Sequence, residues 1–478
     1  MSIKFGTDGW RAVIAEDFTF HNVQLVSQAT ADFILQDLAE AGREPSVVIG
    51  FDTRFLSDRF AIAVACVMAA NGIKVWLTRA DAPTPAISYH VAAKNASAGV
   101  MITASHNPPR YNGFKLKSAS GSAASPSDCA KVEDYLRKIQ ANGATIRSMD
   151  YQQAQAEGLI TQFDPAWMYF EHLNNLLDMD AISRSKAHAI ADPMFGSGRG
   201  VLPAILARTA VRVTEIHGYM NPGFEGVYPE PIAKHLTQLS ASIRREHADI
   251  GLATDGDADR IGAVDQAGNF VDPHMIMALA ARYLVEKRHL GGAIVKTVST
   301  TAMLNRIAHK YGLPLIETPV GFNHIADHMI KGDVLIGGEE SGGISIKGHI
   351  PEGDGVLMAL LLLEILGAYQ APLHEIIADL QAHFGPTVYQ REDIHLSQPV
   401  AKAEMVKRLA DKAPASMGGQ TLKEIQTTDG IKFFLADDSW LLIRPSGTEP
   451  VLRVYAEGTS AGLVGEMLAA GKQMAAAD

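Results

Sequence analysis

The segment DGDADR (255–260) sets Asp255, Asp257 and Asp259 at alternate positions directly after an apolar run. That spacing suits a hard cation that takes oxygen ligands. A calcium loop of the EF-hand kind is excluded, because its sixth and twelfth positions hold Arg260 and Gln266 instead of glycine and glutamate. Three carboxylates with no other ligand nearby in sequence fit Mg²⁺, which completes its shell with phosphate oxygens and water. A solvated acidic turn is the plainer alternative, and the apolar strand leading into the segment argues against it.

Other segments carry compatible chemistry. In TASHNPPRYNGFK (103–115), an apolar strand ends on Ser105, His106 and two prolines. Prolines remove backbone donors and turn the preceding residue away from helix, so the serine is expected on an exposed loop. It lies outside a G-x-S-x-G elbow, which leaves an acyl-transferring hydrolase unsupported. Beside metal and phosphate sites its hydroxyl suits a phosphoryl acceptor and donor, splitting one transfer into two. RPSGTEP (444–450) joins a guanidinium, two hydroxyls and a glycine around a turn, a set that can grip phosphate, without the pattern of a P-loop. GEESGG (338–343) holds Glu339, Glu340 and Ser341 between glycines, suited to sugar hydroxyls that both donate and accept. FGTDGWRA (5–12) offers Arg11 as a further phosphate ligand. GSGRG (196–200) is not a dinucleotide fingerprint, since Val201 stands at the third glycine position.

The elements that position these loops read as a threefold repeat. Short apolar runs near 47–54, 73–78 and 98–102 alternate with helical patterns, as do runs near 189–192, 211–217 and 248–254, and again near 291–297, 313–318 and 333–338. Strands alternating with helices predict parallel βαβ units. In each set the third strand runs into the most polar, glycine-bearing loop, and ligand sites of α/β sheets gather at such carboxyl ends. After about residue 380 the pattern turns to hairpins and a terminal Ala-rich helix, expected of a smaller α+β domain. The predicted divisions are 1–155 with the serine loop, 156–268 with the metal loop, 269–380 with the sugar loop and 381–478 with the phosphate loop.

Composition bounds the rest. The chain has 478 residues, 47% hydrophobic and 20% charged, with formal net charge −11. This is an ordinary globular balance, and it lacks the basic face that nucleic-acid binding needs. Cys66 and Cys129 have neither metal-ligand spacing nor a partner pattern, which suits a reducing, cytoplasmic setting. No basic region followed by an apolar run opens the sequence. The longest uncharged apolar run, VLMALLLL, stops at Glu364, well short of the roughly 20 residues of a membrane span.

Taken in order, the four loops resemble those of the α-D-phosphohexomutase family, close to its bacterial phosphoglucomutase/phosphomannomutase members, over nearly the whole chain. The resemblance implies three similar α/β domains with mixed sheets plus a smaller C-terminal α+β domain around a central cleft. It implies a phosphorylated Ser105 that holds Mg²⁺ together with Asp255, Asp257 and Asp259. Arg11 and Arg260 would reach the reacting phosphoryl group, and His106 and Lys115 would be catalytic candidates, Lys115 for proton transfer. Arg444, Ser446, Gly447 and Thr448 would grip the other phosphate. Glu339 and Ser341 would bond sugar hydroxyls, with Val320 and Gly321 setting ring orientation. The implied reaction interconverts hexose 1-phosphate and hexose 6-phosphate through a 1,6-bisphosphate that turns around in the cleft. Glucose 1,6-bisphosphate would be activator and intermediate, and the protein a monomer or homodimer.

Two positions depart from the family pattern. Gly343 stands where mannose-accepting and glucosamine-type members often have histidine, and Asn323 where glucose-type relatives often carry lysine. Glucose is the favoured hexose, with a phosphomannomutase or dual-specificity mutase as the alternative. A Mg²⁺-dependent sugar-phosphate phosphatase is the alternative of another class, disfavoured because hydrolysis alone has no need of a second phosphate loop. A non-catalytic sugar-phosphate binder would be expected to lose the serine or an aspartate first, and all are present.

Overall fold

A computed structural model describes residues 3–6, 8–39, 44–143, 145–396, 401–445 and 451–476. The threefold repeat is present as a shared topology. In the first unit, parallel strands Ser46–Phe51, Lys74–Thr78 and Ala98–Ile102 are followed by an antiparallel return strand, Tyr111–Lys117. The second unit repeats this with His188–Asp192, Arg212–Glu215 and Ile250–Thr254, then the return strand Ile261–Asp265. The third has Ala293–Thr297, Leu315–Thr318 and Val334–Gly338, then Ile344–Ile346. In all three sheets the spatial order is return strand, third strand, first strand, second strand. Each third strand is buried along its whole length, as its continuous apolar run predicts, and each chemistry-bearing loop is the link from third strand to return strand.

The edges differ. Trp10–Val13 adds to the first sheet beside Tyr111–Lys117, placing Arg11 opposite Gly113. At the other edge Ile160–Phe163 pairs with Lys74–Thr78, so the first sheet continues past the division expected at 155. Likewise Phe270–Val271 extends the second sheet past 268. Both strands are too short to announce their sheet: pairing fixes their allegiance, not composition.

Helices cover the sheets with ordinary end chemistry. Thr19 caps Phe20–Asp37 by accepting from Asn22 N–H (3.2 Å), and Ser125 caps Pro126–Asn142 by accepting from Asp128 N–H (3.1 Å). Helix Gly355–Tyr369, which holds the VLMALLLL run, is buried almost throughout in a core shared by the second and third units. Among the described residues no single helix is long and apolar enough to cross a membrane. Cys66 is buried within Ser57–Ala70, and both cysteines are free thiols.

The fourth unit is an antiparallel sheet ordered Val388–His395, Val451–Gly458, Trp440–Pro445, Ile431–Leu435, Gln420–Gln426 and Ser416–Met417. Helices Lys402–Asp411 and Ala461–Ala476 contribute to its core. It meets the third unit through an apolar cluster of Val298, Ala302, Trp440, Leu442 and Tyr455. Arg444 lies near the end of strand Trp440–Pro445, one of the strands that supply this contact.

Candidate active site

Ser105 follows strand Ala98–Ile102 in a left-handed conformation, φ 51°. Such a conformation costs a non-glycine residue about 1–3 kcal/mol and persists only where its surroundings fix it. Here Ser105 N–H donates to Thr103 Oγ1 (2.9 Å), and Thr103 Oγ1 donates to Asp52 Oδ2 (2.6 Å). Arg54 wraps the loop: Nη2 donates to the carbonyls of Ser105 (2.6 Å) and Asn107 (2.7 Å), and Nη1 to those of Pro108 (2.9 Å) and Tyr111 (3.0 Å). Its Nε lies 3.1 Å from Asp52 Oδ2, and both side chains are wholly buried. Arg54→Ala would leave Asp52 buried without its cation. A loss of about 3–5 kcal/mol in stability is expected from urea unfolding.

The serine is not on an exposed loop. It is fully buried, because the second unit's metal loop closes over it. Ser105 Oγ donates to Asp255 Oδ2 at 2.7 Å, and His106 Nδ1 lies 3.3 Å from the same serine oxygen. Gly256 makes this approach possible, since a Cβ there would stand 2.5 Å from the Ser105 carbonyl oxygen.

The three aspartates are buried, and their carboxylate oxygens lie within 4.8 Å of one another. Lys115 Nζ donates to Asp257 Oδ2 (2.8 Å) and Asp259 Oδ2 (2.9 Å) and pairs with Asp8 Oδ2 (2.7 Å). Thr84 Oγ1 also donates to Asp257 Oδ2, at 2.6 Å. Asp257 Oδ1 and Asp259 Oδ1 remain buried with no hydrogen-bond partner. Burying carboxylate oxygens unpaired is costly, and two of them beside a third carboxylate are what a small hard cation satisfies. The triad therefore fits a divalent metal.

The electrostatics agree. Burial, with the charges of Asp259 and Asp257, pushes the Asp255 carboxyl well above the usual carboxylate range, the mark of a site short of positive charge. Burial also works on Asp257, but the Lys115 charge and hydrogen bond override it and hold that carboxyl low. Lys115 itself is buried, yet Asp257, Asp259 and Asp8 hold its ammonium well above the ordinary lysine value. His106 is pushed well down by burial and by Arg260, Arg11, Lys115 and Arg54, and so stays neutral.

Two arginines flank the serine. Arg11 Nη1 donates to Asn107 Oδ1 (2.7 Å), and Arg260 N–H donates to Asp255 Oδ1 (3.2 Å) with Nε 3.8 Å from Asp259 Oδ1. The sugar loop joins from the third unit, where Ile261 N–H donates to the Gly342 carbonyl (3.2 Å). Glu339 Oε1 accepts from Gly321 N–H (2.8 Å), and Ser341 Oγ is buried without a partner. Glu340 turns away to accept from Ser299 Oγ (2.6 Å). In the fourth unit Arg444 Nε donates to Asp429 Oδ2 (2.7 Å), which also accepts from Val320 N–H (3.0 Å). Ser446, Gly447 and Thr448 lie outside the described residues.

Asp8, Asp52, Arg54 and Asp429 are absent from the sequence-level site, as is the buried pair Lys117–Glu352 (2.6 Å) that ties the first unit to the third. Asp8 stands in a motif singled out for its arginine, and Lys117 shares a strand face with Lys115.

Four profiles of one family match along the chain: phosphoglucomutase/phosphomannomutase alpha/beta/alpha domain I at residues 2–143, domain II at 168–268, domain III at 272–384 and the C-terminal domain at 398–470. The chain belongs to the α-D-phosphohexomutase superfamily. It is 30% identical over 461 residues to phosphoglucomutase/phosphomannomutase of Thermococcus kodakarensis, covering 96% of this chain and 95% of that protein. It is also 30% identical to phosphoglucosamine mutase of Carboxydothermus hydrogenoformans, covering 98% of each. A crystal structure from Thermus thermophilus, described as a phosphomannomutase, matches with TM-score 0.86 and 34% identity over 100% of both chains. The open form of parafusin from Paramecium shares the fold with TM-score 0.83 at 22% identity, over 98% of this chain and 94% of that one. The superfamily is a class of isomerases acting on hexose phosphates. These relatives carry the names of different hexoses.

Proposed function

We propose that this phosphohexomutase interconverts a hexose 1-phosphate and its 6-phosphate through phosphorylated Ser105, with glucose as the preferred hexose. The observation that carries this reading is Ser105 Oγ, wholly buried and 2.7 Å from Asp255 of a carboxylate triad with two buried oxygens that accept no hydrogen bond. Mg²⁺ held by Asp255, Asp257, Asp259 and the serine's phosphate would neutralise charge on the phosphoryl oxygens. The chain's own groups do the positioning. Arg11 and Arg260 hold the reacting phosphoryl group, and Glu339 and Ser341 take sugar hydroxyls. Arg444, with Ser446, Gly447 and Thr448, grips the phosphate that is not reacting. The serine's phosphoryl passes to the free hydroxyl, giving the 1,6-bisphosphate, which turns around and returns its other phosphoryl group to Ser105.

Lys115 remains the candidate for proton transfer; three carboxylates hold its ammonium protonated here, and two of them, Asp257 and Asp259, are residues that Mg²⁺ would engage. A phosphatase is disfavoured by the RPSGTEP loop, since hydrolysis alone has no need of a second phosphate site. Glucose is favoured by Gly343, where mannose and glucosamine types often place histidine. Glucosamine is the second reading, favoured by the name of the Carboxydothermus relative. The test is ³¹P NMR with Mg²⁺, a trace of glucose 1,6-bisphosphate and the 1-phosphates of glucose, mannose and glucosamine in one tube. Growth of 6-phosphates without free phosphate supports the mutase, and the fastest names the hexose. Accumulating inorganic phosphate would sink it.

Sugar binding is expected to depend on pH through Glu339. Burial, aided by Glu340 and opposed by Arg260, pushes this carboxyl from 4.5 up to about 7. Between those values the folded chain keeps a proton that the unfolded chain has lost, so the group's contribution to stability falls as pH rises through that window. Binding runs the other way, since the carboxylate, which already accepts from Gly321 N–H, accepts from a sugar hydroxyl more strongly than the neutral acid does. KM for the hexose phosphate is expected to rise as pH falls below about 7. In Glu339→Gln that step should vanish; a step of the same size in the variant would assign it to another group.

A further inference from the structure

Asp429 touches both halves of the substrate grip. It precedes strand Ile431–Leu435 and is buried, and its Oδ2 accepts from Arg444 Nε (2.7 Å) and from Val320 N–H of the third unit (3.0 Å). Its Oδ1 pairs with Lys402. The turn that carries it lies close against the neighbouring strand: Gly430 has φ 93°, and a Cβ there would lie 2.5 Å from the Ile443 carbonyl, on the strand that bears Arg444. The adjoining donor, Gly321 N–H, goes to Glu339 of the sugar loop. One turn, Val320–Gly321, is therefore held from one side by the sugar loop and from the other by the carboxylate that orients Arg444. Other polar links between these units, among them Ala302 N–H to Glu457 Oε1 (2.8 Å) and Lys432 Nζ to the Val298 carbonyl (2.6 Å) and Glu317 Oε2 (3.3 Å), lie beside the apolar cluster instead.

We infer that Asp429 is a positioning residue, a clasp that couples Arg444's hold on the non-reacting phosphate to the sugar turn and keeps the fourth unit closed while the bisphosphate turns around. This rests on the mutase reading. A group that only supported the fold would change stability and the amount of active enzyme; a clasp changes how often the intermediate escapes.

The test is a trapping experiment on the full chain with Mg²⁺. Enzyme carrying ³²P on Ser105 is mixed with glucose 1-phosphate and a large excess of unlabelled glucose 1,6-bisphosphate, and labelled bisphosphate in free solution is counted. Asp429→Asn keeps the shape and an oxygen for Val320 N–H but loses the charge facing Arg444. It is expected to release at least about tenfold more labelled bisphosphate per turnover, the scale of one lost charge-assisted hydrogen bond. KM for the hexose phosphate should rise by a similar factor, with kcat at saturating bisphosphate within about threefold of wild type. Arg444→Lys, which keeps charge but loses the Nε contact, should show the same escape, and the double variant should add little to either. Wild-type partitioning in both single variants, even with lowered thermal stability, would overturn the clasp while leaving the mutase reading intact. Wild-type enzyme that passes no label to sugar would overturn that reading, and the clasp with it.

Discussion

Ser105→Ala is expected to lose mutase turnover by at least about 10⁴-fold, the scale on which a covalent nucleophile is missed. Nothing else described within reach offers the same hydroxyl in the same place: the oxygen sits on a strained turn held by Thr103 and Arg54, 2.7 Å from Asp255. Stability should move far less, by about 1–2 kcal/mol, because the variant forfeits the hydrogen bonds to Asp255 and His106 and keeps every contact that Arg54 makes to the loop's carbonyls. The two quantities are separable by measuring the rate of 6-phosphate formation and the thermal unfolding midpoint on one preparation. Residual turnover within about tenfold of wild type would move the nucleophile elsewhere.

Asp257→Asn strikes two partners at once. Its carboxylate pairs with Lys115 (2.8 Å) and accepts from Thr84 (2.6 Å), while its other oxygen is buried and unpartnered. Neutralising it weakens the triad's hold on a divalent cation and withdraws one of the three carboxylates around a buried ammonium. A fall of about 10³-fold or more in turnover is expected, together with loss of Mg²⁺ binding by titration calorimetry. Stability without added metal should drop by about 3 kcal/mol, since Lys115 keeps only Asp259 and Asp8. Chelation of the wild-type protein should reproduce the loss of turnover but not that loss of stability. Unchanged calorimetric binding in the variant would place the metal away from the triad.

The repeat was legible because continuous apolar runs ending in glycine-bearing loops mark buried parallel strands in any one chain. The loops' order, and the alternate spacing of Asp255, Asp257 and Asp259, pointed to the chemistry for the same local reason. Burial of Ser105 was not legible. Two prolines after a strand indicate an open loop, and what covers it is Gly256, a contact between segments far apart in sequence. Arg54 has no signature in the sequence, because its partners are backbone carbonyls, which any residue type supplies. Asp429 is hidden for a similar reason: an Asp-Gly pair before a strand reads as a plain turn until Val320 is brought against it from another unit. Lys115 is legible as a site residue, whereas Asp8, which joins Asp257 and Asp259 around it, is not.

The most direct measurement follows the label on Ser105 itself. Enzyme phosphorylated with ³²P at that residue is mixed with one equivalent of unlabelled glucose 1-phosphate and Mg²⁺, and quenched within the first turnover. If Ser105 is the phosphoryl donor, the label leaves the protein and appears in hexose bisphosphate and then in glucose 6-phosphate, with none in inorganic phosphate. Label that stays on the protein while glucose 6-phosphate forms, or that leaves only as inorganic phosphate, would contradict transfer through this serine.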